Sequence, residues 1–216
     1  MKIKTPITKA RLRTHFTYHF WKYLLAILAS VFAWNLLYTT TAYRAPEDKR
    51  IDLYIQSATA TEERAAAFLA PLWHTVVPDM ETVSTVFLTG TSQDYYTSMQ
   101  LSVYIMAGEG DIYMLSPDDF KSFAAQGAFL DLAPFIAEGR INVEGLDLSA
   151  GYVALVNDDG VAVGDKVLFG IPATLLNGFQ AGMGLENSNL IIGVTTFNGN
   201  EENVIKFLDA LIQAGR

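Results

Sequence analysis

Four short polar loops carry the side chains in this chain that are best suited to binding a ligand. Each follows an apolar run and precedes a helical pattern, and together they contain the candidate ligand-binding residues Gln56, Ser57, Thr91, Ser92, Ser116, Asp118, Ala173 and Thr174. Hydroxyl groups, together with the N–H groups at a helix start, suit the oxygen atoms of sugars, peptides or anions. The same residue types also cap helices where no ligand binds, so capping stays open as an alternative for all four loops.

Residue patterns for catalysis or metal binding are weak in comparison. The sequence contains no G-x-S-x-G elbow, no H-E-x-x-H pair, no P-loop and no cysteine. Two pairs of carboxylates are candidates for acid/base chemistry. Asp118 and Asp119 are explained by their place at a helix start, and Asp158 and Asp159 by their place in a turn. His74 is predicted to lie in the middle of a helix, where a histidine is more often a structural residue than a catalytic base or a metal ligand. We therefore predict no catalytic residues, no metal site, no cofactor and no enzymatic activity.

Alternating strand and helix patterns must position these loops. Short apolar runs predict strands at residues 51–56, 82–88, 111–115, 167–172 and 190–197, and several segments between them have helical periodicity. Strands that alternate with helices through short turns favour right-handed crossovers and parallel pairing. We therefore predict an α/β fold of three layers, with a mostly parallel sheet flanked by helices. The four loops would then meet at the carboxyl ends of the strands, where ligands bind.

Local signals predict where helices begin and which side faces the core. Thr59 and Glu62 have the spacing of a capping box, Ser116 is a strong helix start because a proline follows it, and Asn200 is predicted to cap the last helix. The Asn-Asp-Asp-Gly sequence at 157–160 predicts a hairpin turn. One helix is predicted to turn five large apolar side chains toward the core, namely Tyr95, Tyr96, Met99, Val103 and Met106.

The charge of the chain changes sign across its one long apolar run. Residues 1–22 contain six basic and no acidic residues, whereas residues 43–216 contain nine basic and all 23 acidic residues, a net charge of −14. Residues 23–43 carry no charge, and about 20 apolar residues suffice to span a bilayer. Because a basic flank marks the cytoplasmic side, we predict a cytoplasmic tail (1–22), a transmembrane signal-anchor helix (23–43), a linker (44–50) and an extracytoplasmic domain (51–216).

A cleavable secretory signal is the alternative for the same apolar segment, with cuts after Ala33 or Ala42. In either case residues 43–216 would lie outside the cytoplasm, at the outer face of the cell membrane or secreted. This part is long enough for one domain with its own core. Its acidic charge argues against nucleic acid and anionic headgroups as its partners, so we predict contact with membrane lipid only for residues 23–43.

Three segments, in order along the chain, resemble the extracellular solute-binding proteins of ATP-binding-cassette (ABC) importers. KVLFGIPA (166–173) is similar to that family's Y-G-I-P strand, with Phe169 at the aromatic position. NGNEENVIKFLDALI (198–212) is similar to its terminal helix, with Val204 where alanine is usual. The segment MAGEGDIYMLSPDDFKSFAAQGAFLDLAPFI (106–136) resembles its helix, turn, Asp-initiated strand and following helix at Gly108, Gly110, Asp111, Gly127 and Leu132.

The resemblance implies a single periplasmic-binding-protein-like lobe that belongs to an ABC-type importer or sensor. Its partners would be a small-molecule solute (a sugar, oligosaccharide or peptide) and membrane transporter subunits. Members of the family have two lobes that close on the ligand, but here only 16 residues, 173–188, separate the G-I-P strand from the next one. The second lobe is therefore predicted to be absent. The alternative function is a protein-interaction module that binds no solute and docks on a membrane complex.

Overall fold

A computed structural model describes residues 8–43, 45–89, 95–157, 159–186, 189–195 and 199–216, with the side chains of residues 11 and 12 left aside. The chain divides into two compact units, Met1–Arg44 and Ala45–Arg216. Two candidate ligand residues, Thr91 and Ser92, lie outside the described residues.

Among its described residues, the first unit forms one long helix, α1 (Lys9–Thr41). Within it, the 29 residues Arg13–Thr41 are long and apolar enough to cross a membrane, a property that a secretory signal near an N-terminus shares. Hydroxyl groups along the helix donate to backbone carbonyls one turn earlier, as Ser30 Oγ does to the Ala26 carbonyl at 2.8 Å. This leaves the hydroxyls satisfied without water, which suits an apolar environment.

The second unit contains seven strands and six helices among its described residues. The strands are β1 (Arg50–Gln56), β2 (Thr82–Leu88), β3 (Ile112–Leu115), β4 (Tyr152–Val156), β5 (Ala162–Leu168), β6 (Gly170–Pro172) and β7 (Ile191–Val194). The helices are α2 (Glu62–Val76), α3 (Tyr95–Met106), α4 (Pro117–Ala125), α5 (Ala133–Ala137), α6 (Gly178–Met183) and α7 (Glu201–Gly215). Short 3₁₀ turns lie at Glu47–Lys49 and Ser149–Gly151.

Five strands form the central sheet in the order β2-β1-β3-β7-β6. Strand β1 pairs in parallel with β2 and β3, whereas β7 is antiparallel to both of its neighbours, β3 and β6. Four strands therefore run in one direction and β7 runs in the other, which confirms the mostly parallel α/β fold. Because β7 is antiparallel to β6, the connection between them, which contains the short helix α6, does not have to cross to the other end of the sheet.

Both faces of the sheet are covered, so the domain has three layers. On one face Ile51, Leu53 and Ile55 of β1 belong to a core that includes Leu69 of α2 and Phe207 of α7. On the other face Tyr54 of β1 and Tyr113 of β3 belong to a second core with Leu101 and Ile105 of α3 and Phe120 of α4. Alternate side chains of one strand point to opposite faces, so β1 contributes three aliphatic residues to the first core and Tyr54 to the second.

The run 167–172, predicted as one strand, is divided between two sheets. Its first two residues end β5, which pairs with β4 in a separate antiparallel hairpin, and its last three form β6 of the central sheet. The predicted turn at 157–160 lies in this hairpin, although Asp158 is outside the described residues. At Gly170 a Cβ would lie 2.5 Å from Phe120 Cζ, so only glycine lets β6 approach α4 this closely.

Two predicted caps and one predicted core face are wrong. Helix α2 begins after Thr61 rather than Thr59, whose hydroxyl instead donates to the Gly184 carbonyl at 2.9 Å. Asn200 lies at the N-cap position of α7, but the predicted side-chain cap is absent, since its Oδ1 accepts from Asn203 Nδ2 at 2.9 Å instead of from a backbone N–H of the first turn. Its Nδ2 donates to the Arg50 carbonyl at 3.1 Å. Helix α3 buries Thr97, Leu101 and Ile105, and it turns the five predicted core residues outward: Tyr95, Tyr96, Met99, Val103 and Met106.

Candidate ligand-binding edge of the sheet

The carboxyl ends of three parallel strands, β1, β3 and β6, lie at the same end of the sheet. We call this end the carboxyl edge. Leu115 of β3 pairs with Ile191 of β7, and Ile191 pairs in turn with Pro172 of β6. Strand β1 lies on the other side of β3, with Ile55 opposite Met114. The residues that follow these strands, Ser57, Ser116 and Ala173, therefore share the edge, at a spacing of about 4.8 Å per strand. Three of the four predicted loops are thus brought together.

This edge includes the point at which the chain changes faces. Helix α2 follows β1 on one face of the sheet, whereas α3 and α4 cover the opposite face on either side of β3 in sequence. In doubly wound sheets, ligands occupy the crevice at such a switch point, outside the carboxyl ends of the strands. The ends of β1 and β3 are therefore the first place to examine for a site.

Gln56 spans the gap between the ends of β1 and β3. Its side chain is 7% exposed, its Nε2 donates to Asp119 Oδ2 at 2.9 Å, and its Oε1 accepts from the Ser116 N–H at 2.8 Å. The side-chain amide of Gln56 thus donates one hydrogen bond and accepts another, both with residues at or just after the end of β3. Gln56 therefore cross-links β1 to the start of α4, and its polar atoms point into the protein.

Ser116 and Asp119 complete this buried network at the N-terminus of α4. Ser116 Oγ donates to Asp119 Oδ2 at 2.9 Å and accepts from the Asp119 N–H at 3.4 Å. Asp119 is 8% exposed, and the helix N-terminus favours its negative charge. The predicted start of this helix at Ser116 is confirmed, and the hydroxyl is used for capping. The neighbouring Asp118 is exposed.

Ser57 organises the turn that follows β1. Its Oγ accepts from the N–H groups of Thr59 and Ala60, at 3.2 and 3.1 Å. Its own N–H donates to the Leu88 carbonyl at 3.2 Å, which extends the pairing of β1 with β2 by one residue. The hydroxyl therefore shapes the loop, as expected for a serine directly after a strand.

At β6 the edge opens into a shallow cleft. Ala173 is fully buried and donates its N–H to the Leu190 carbonyl at 2.8 Å, so its side chain cannot reach a ligand. Thr174 is exposed and lines a cleft of about 280 Å³ together with Leu146, Asp147, Ser149, Ala150, Pro172 and Leu175. This volume is close to the lower limit for small-molecule sites.

Asp147 is the charged residue of this cleft, and sequence reasoning missed it. Its Oδ1 accepts from the Ser149 N–H at 2.9 Å, and this hydrogen bond lowers the pKa of the carboxyl group. The carboxylate therefore stays ionised near neutral pH. An Asp-x-Ser turn is the local signal that could have pointed to it, but residues 138–151 have no clear periodicity that would place it near β6.

A second cleft, of about 390 Å³, separates α3 from α4. It is lined by Ser98, Ser102, Ile105 and Met106 of α3 and by Asp119, Ser122, Phe123, Gln126 and Ala128 of α4 and its exit. Ser98 and Ser102 are four residues apart, so they lie on one side of α3. This serine pair is the sequence signal for the cleft.

Within the described ranges, no group of three or more His, Cys, Asp or Glu side chains is arranged to hold a metal ion. The carboxylates of Asp118 and Asp119 have different environments, since one is exposed and the other is buried in the Gln56 network. The absence of enzymatic activity stays a prediction.

Neither a family model nor a curated protein sequence matches this chain significantly. Similar solved structures include a family 1 extracellular solute-binding protein from Alicyclobacillus acidocaldarius subsp. acidocaldarius DSM 446, with 20% identity and a TM-score of 0.41 over 57% of this chain and 27% of that one. Another is a family 1 extracellular solute-binding protein from Bifidobacterium longum subsp. infantis, with 17% identity and a TM-score of 0.37 over 57% and 27%. This chain therefore spans about a quarter of their length. They belong to the family that segment 106–136 resembles.

Proposed function

We propose that residues 45–216 act as a single solute-binding-type lobe that the N-terminal helix holds at the outer face of the cell membrane. In this role the protein is a receptor or accessory component of an ABC-type importer or sensor, and it performs no catalysis. The observation that carries the proposal is the edge at which the ends of β1, β3 and β6 meet. An edge of this kind is where doubly wound domains bind their ligands.

The charge pattern supports the proposed location. Residues 1–22 are basic, the helix Arg13–Thr41 is long enough to span a bilayer, and the remainder of the chain is strongly acidic. This arrangement is typical of a cytoplasmic N-terminus and an extracytoplasmic C-terminal domain. Membrane lipid would contact residues 23–43. If the segment is instead a signal that is removed, the same domain is secreted.

The cleft at Thr174 favours an oxygen-rich solute, such as a sugar, an oligosaccharide or a peptide. Thr174 and Ser149 are hydroxyl side chains at its wall, and Asp147 is an ionised acceptor for hydroxyl or ammonium donors. A single lobe cannot enclose most of a ligand's surface, and complete pockets bury 70–90% of it. We therefore expect weak binding by the isolated lobe, strengthened where a transporter subunit covers the ligand.

Thermal unfolding of the full chain in lipid nanodiscs tests this function against a panel of sugars, oligosaccharides, peptides, amino acids and anions. A ligand at a hundredfold excess over its Kd stabilises the native state by about 2.7 kcal/mol, which is readily measured. The expected result is a saturable shift that Thr174→Val abolishes. Thr82→Val is the matched control, because Thr82 is exposed at the start of β2, at the opposite end of the strands. A shift that both variants retain would contradict a site at Thr174.

A protein-interaction module without solute is the second candidate. The observation that favours it is that the side chains of Gln56, Ser57 and Ser116 are all hydrogen-bonded within the protein. A well-folded sample without any shift across the panel, combined with cross-linking to a transporter subunit in native membranes, would support this second function over the first.

A further inference from the structure

Helix α3 presents a row of large apolar side chains to solvent. The exposed fractions are 73% for Tyr95, 80% for Tyr96, 54% for Met99, 55% for Val103 and 86% for Met106. Spacings of three and four residues place them along one side of the helix. The opposite side is apolar as well, since it buries Leu101 and Ile105. A helix that is apolar on both sides is normally covered on both sides.

The charge distribution indicates what kind of surface covers this row. Helix α3 contains no charged residue, whereas α2 and α7 each begin with two glutamates and α4 carries two aspartates in its first turn. Residues 43–216 have a net charge of −14, so two copies repel each other wherever their carboxylates face. Helix α3 itself adds no carboxylate to this repulsion. A basic partner protein would find no carboxylate on α3 with which to form an ion pair. A second copy of this chain, whose α3 is also uncharged and apolar, therefore fits this face better than a basic partner does.

The exposed area is close to what a dimer interface requires. At about 200 Å² for a large side chain, these exposed fractions leave roughly 700 Å² of mostly apolar surface in water. Stable interfaces bury about 800 Å² on each partner. The row can therefore supply most of one side of an interface, with the rim of the α3–α4 cleft beside it.

We propose that α3 is a self-association surface, at which two copies of this chain pack α3 against α3 in antiparallel orientation about a twofold axis. Met99 and Val103 lie near the middle of the helix, on either side of the axis, so Met99 of one copy faces Val103 of the other. Tyr96 and Met106 are ten residues apart, about 15 Å along the helix. Each tyrosine would therefore meet the partner's Met106, a favourable contact between sulfur and an aromatic ring.

The surface is separate from the candidate solute cleft, since Thr174 follows β6, at the far side of the sheet from β1 and β2. Self-association therefore does not depend on whether the lobe binds a solute. Small residues in α1, such as Ala26 and Ser30, could also bring membrane helices together. The experiment must distinguish association through α3 from association through α1 alone.

Disulfide cross-linking of the full chain in proteoliposomes makes this distinction, because the chain has no cysteine and each introduced thiol is unique. Val103→Cys and Met99→Cys place a thiol near the proposed axis. Thr75→Cys is the matched control, exposed on α2, which packs against the opposite face of the sheet. Under mild oxidation and high lipid dilution, we expect the two α3 variants to form dimers readily and Thr75→Cys to form about tenfold less.

Equal dimer formation by the Thr75 and Val103 variants would overturn the proposal, because it would indicate association through α1 or random collision. Cross-linked products whose mass differs from twice that of the chain would overturn it too, by identifying a different partner. In a second measurement, Met99→Glu with Val103→Glu should lower the dimer fraction in dilute detergent by at least about tenfold, because carboxylates would face each other across the axis. Thr75→Glu should leave it unchanged. Both glutamate positions are exposed, so folding should be preserved.

Discussion

Gln56 Nε2 donates to Asp119 Oδ2 at 2.9 Å, and this bond ties the end of β1 to the first turn of α4. Both side chains are less than 10% exposed, and the Gln56 Oε1 also accepts from the Ser116 N–H. Two of the residues predicted to bind a ligand, Gln56 and Ser116, thus serve to hold together the edge that a ligand would approach. Some of the polar side chains in these loops therefore form hydrogen bonds within the protein rather than with a ligand.

Replacing Gln56 should destabilise the domain rather than merely weaken binding. In Gln56→Leu the Asp119 carboxylate loses one donor and the Ser116 N–H loses its acceptor, at a cost of about 1–3 kcal/mol. For a domain of this size each kcal/mol lowers the Tm by about 2–4 °C. Urea or thermal unfolding measures the loss. Gln180→Leu, at an exposed position on α6, is the control and should change the stability by less than about 0.5 kcal/mol.

Gly110 should not tolerate even a methyl group. Its φ is +83°, and a Cβ would lie 2.5 Å from Tyr54 Cδ2 and 2.9 Å from the Tyr113 hydroxyl. Gly139 also has a positive φ, +71°, but a Cβ there would meet nothing within 4 Å. We expect Gly139→Ala to cost about 1 kcal/mol for backbone strain alone, and Gly110→Ala to cost a further 1–3 kcal/mol, roughly, for the overpacking. If denaturant unfolding gave equal losses in the free energy of unfolding for the two variants, the Tyr54 side chain would be able to move aside, and the overpacking argument would be wrong.

Stability should fall at alkaline pH because of two buried tyrosines. Burial raises the pKa of Tyr113, and burial together with the nearby Glu109 and Asp52 carboxylates raises the pKa of Tyr54. Both therefore stay neutral in the folded domain, whereas in the unfolded chain they ionise near pH 10. Above pH 10 the unfolded chain therefore releases protons that the folded domain retains. The free energy of unfolding is at its full value below pH 10 and falls as the pH rises further.

The predicted slope is up to about 1.4 kcal/mol per pH unit for each buried tyrosine. Thermal unfolding between pH 8 and 11 measures it. Tyr54→Phe should flatten the dependence, because the variant has one group fewer to ionise. Thr82→Val is the control, since it changes an exposed residue without adding or removing an ionisable group, and it should leave the slope unchanged. Identical slopes in the wild type and Tyr54→Phe would contradict the role given to Tyr54.

The proposed topology predicts that a thiol in the second unit is accessible from outside intact cells. Thr75→Cys should react with a membrane-impermeant maleimide before lysis, because Thr75 is exposed and belongs to the acidic part of the chain. Labelling only after lysis would contradict an extracytoplasmic domain. The mass of the labelled protein, measured in both the membrane fraction and the medium, then separates an uncleaved anchor, which retains residues 1–42, from a removed signal.

Much of the local structure could be predicted because it depends on neighbours in sequence. The start of α4 follows from Ser116 and the proline after it, and the buried stripe of α7 follows from the spacing of Val204, Leu208 and Leu211. The strand β1 is recognisable from its alternating aliphatic residues Ile51, Leu53 and Ile55. The bounds of β2 agree with the prediction, and those of β3 differ from it by one residue.

Helix α3 shows why the rest could not be predicted. Both of its sides are apolar, so periodicity offers no choice between Leu101 with Ile105 and the row from Tyr95 to Met106. The direction of β7 is equally hidden, because a buried strand has the same pattern in parallel and antiparallel pairing. The residues of the Thr174 cleft come from segments far apart in sequence, and no short-range signal brings Asp147 to the end of β6.

The sequence by itself determined the alternation of strands and helices, the uncharged run at residues 23–43 and the acidic part that follows it, because propensity, capping and charge act over a few residues. The tertiary structure alone decided that Gln56 and Ser116 bond to Asp119, that Thr174 faces a cleft, and that the apolar row of α3 faces solvent. Those outcomes depend on which donors and acceptors meet across the sheet edge and on how much of each helix the core can cover. Both are properties of packing between distant segments.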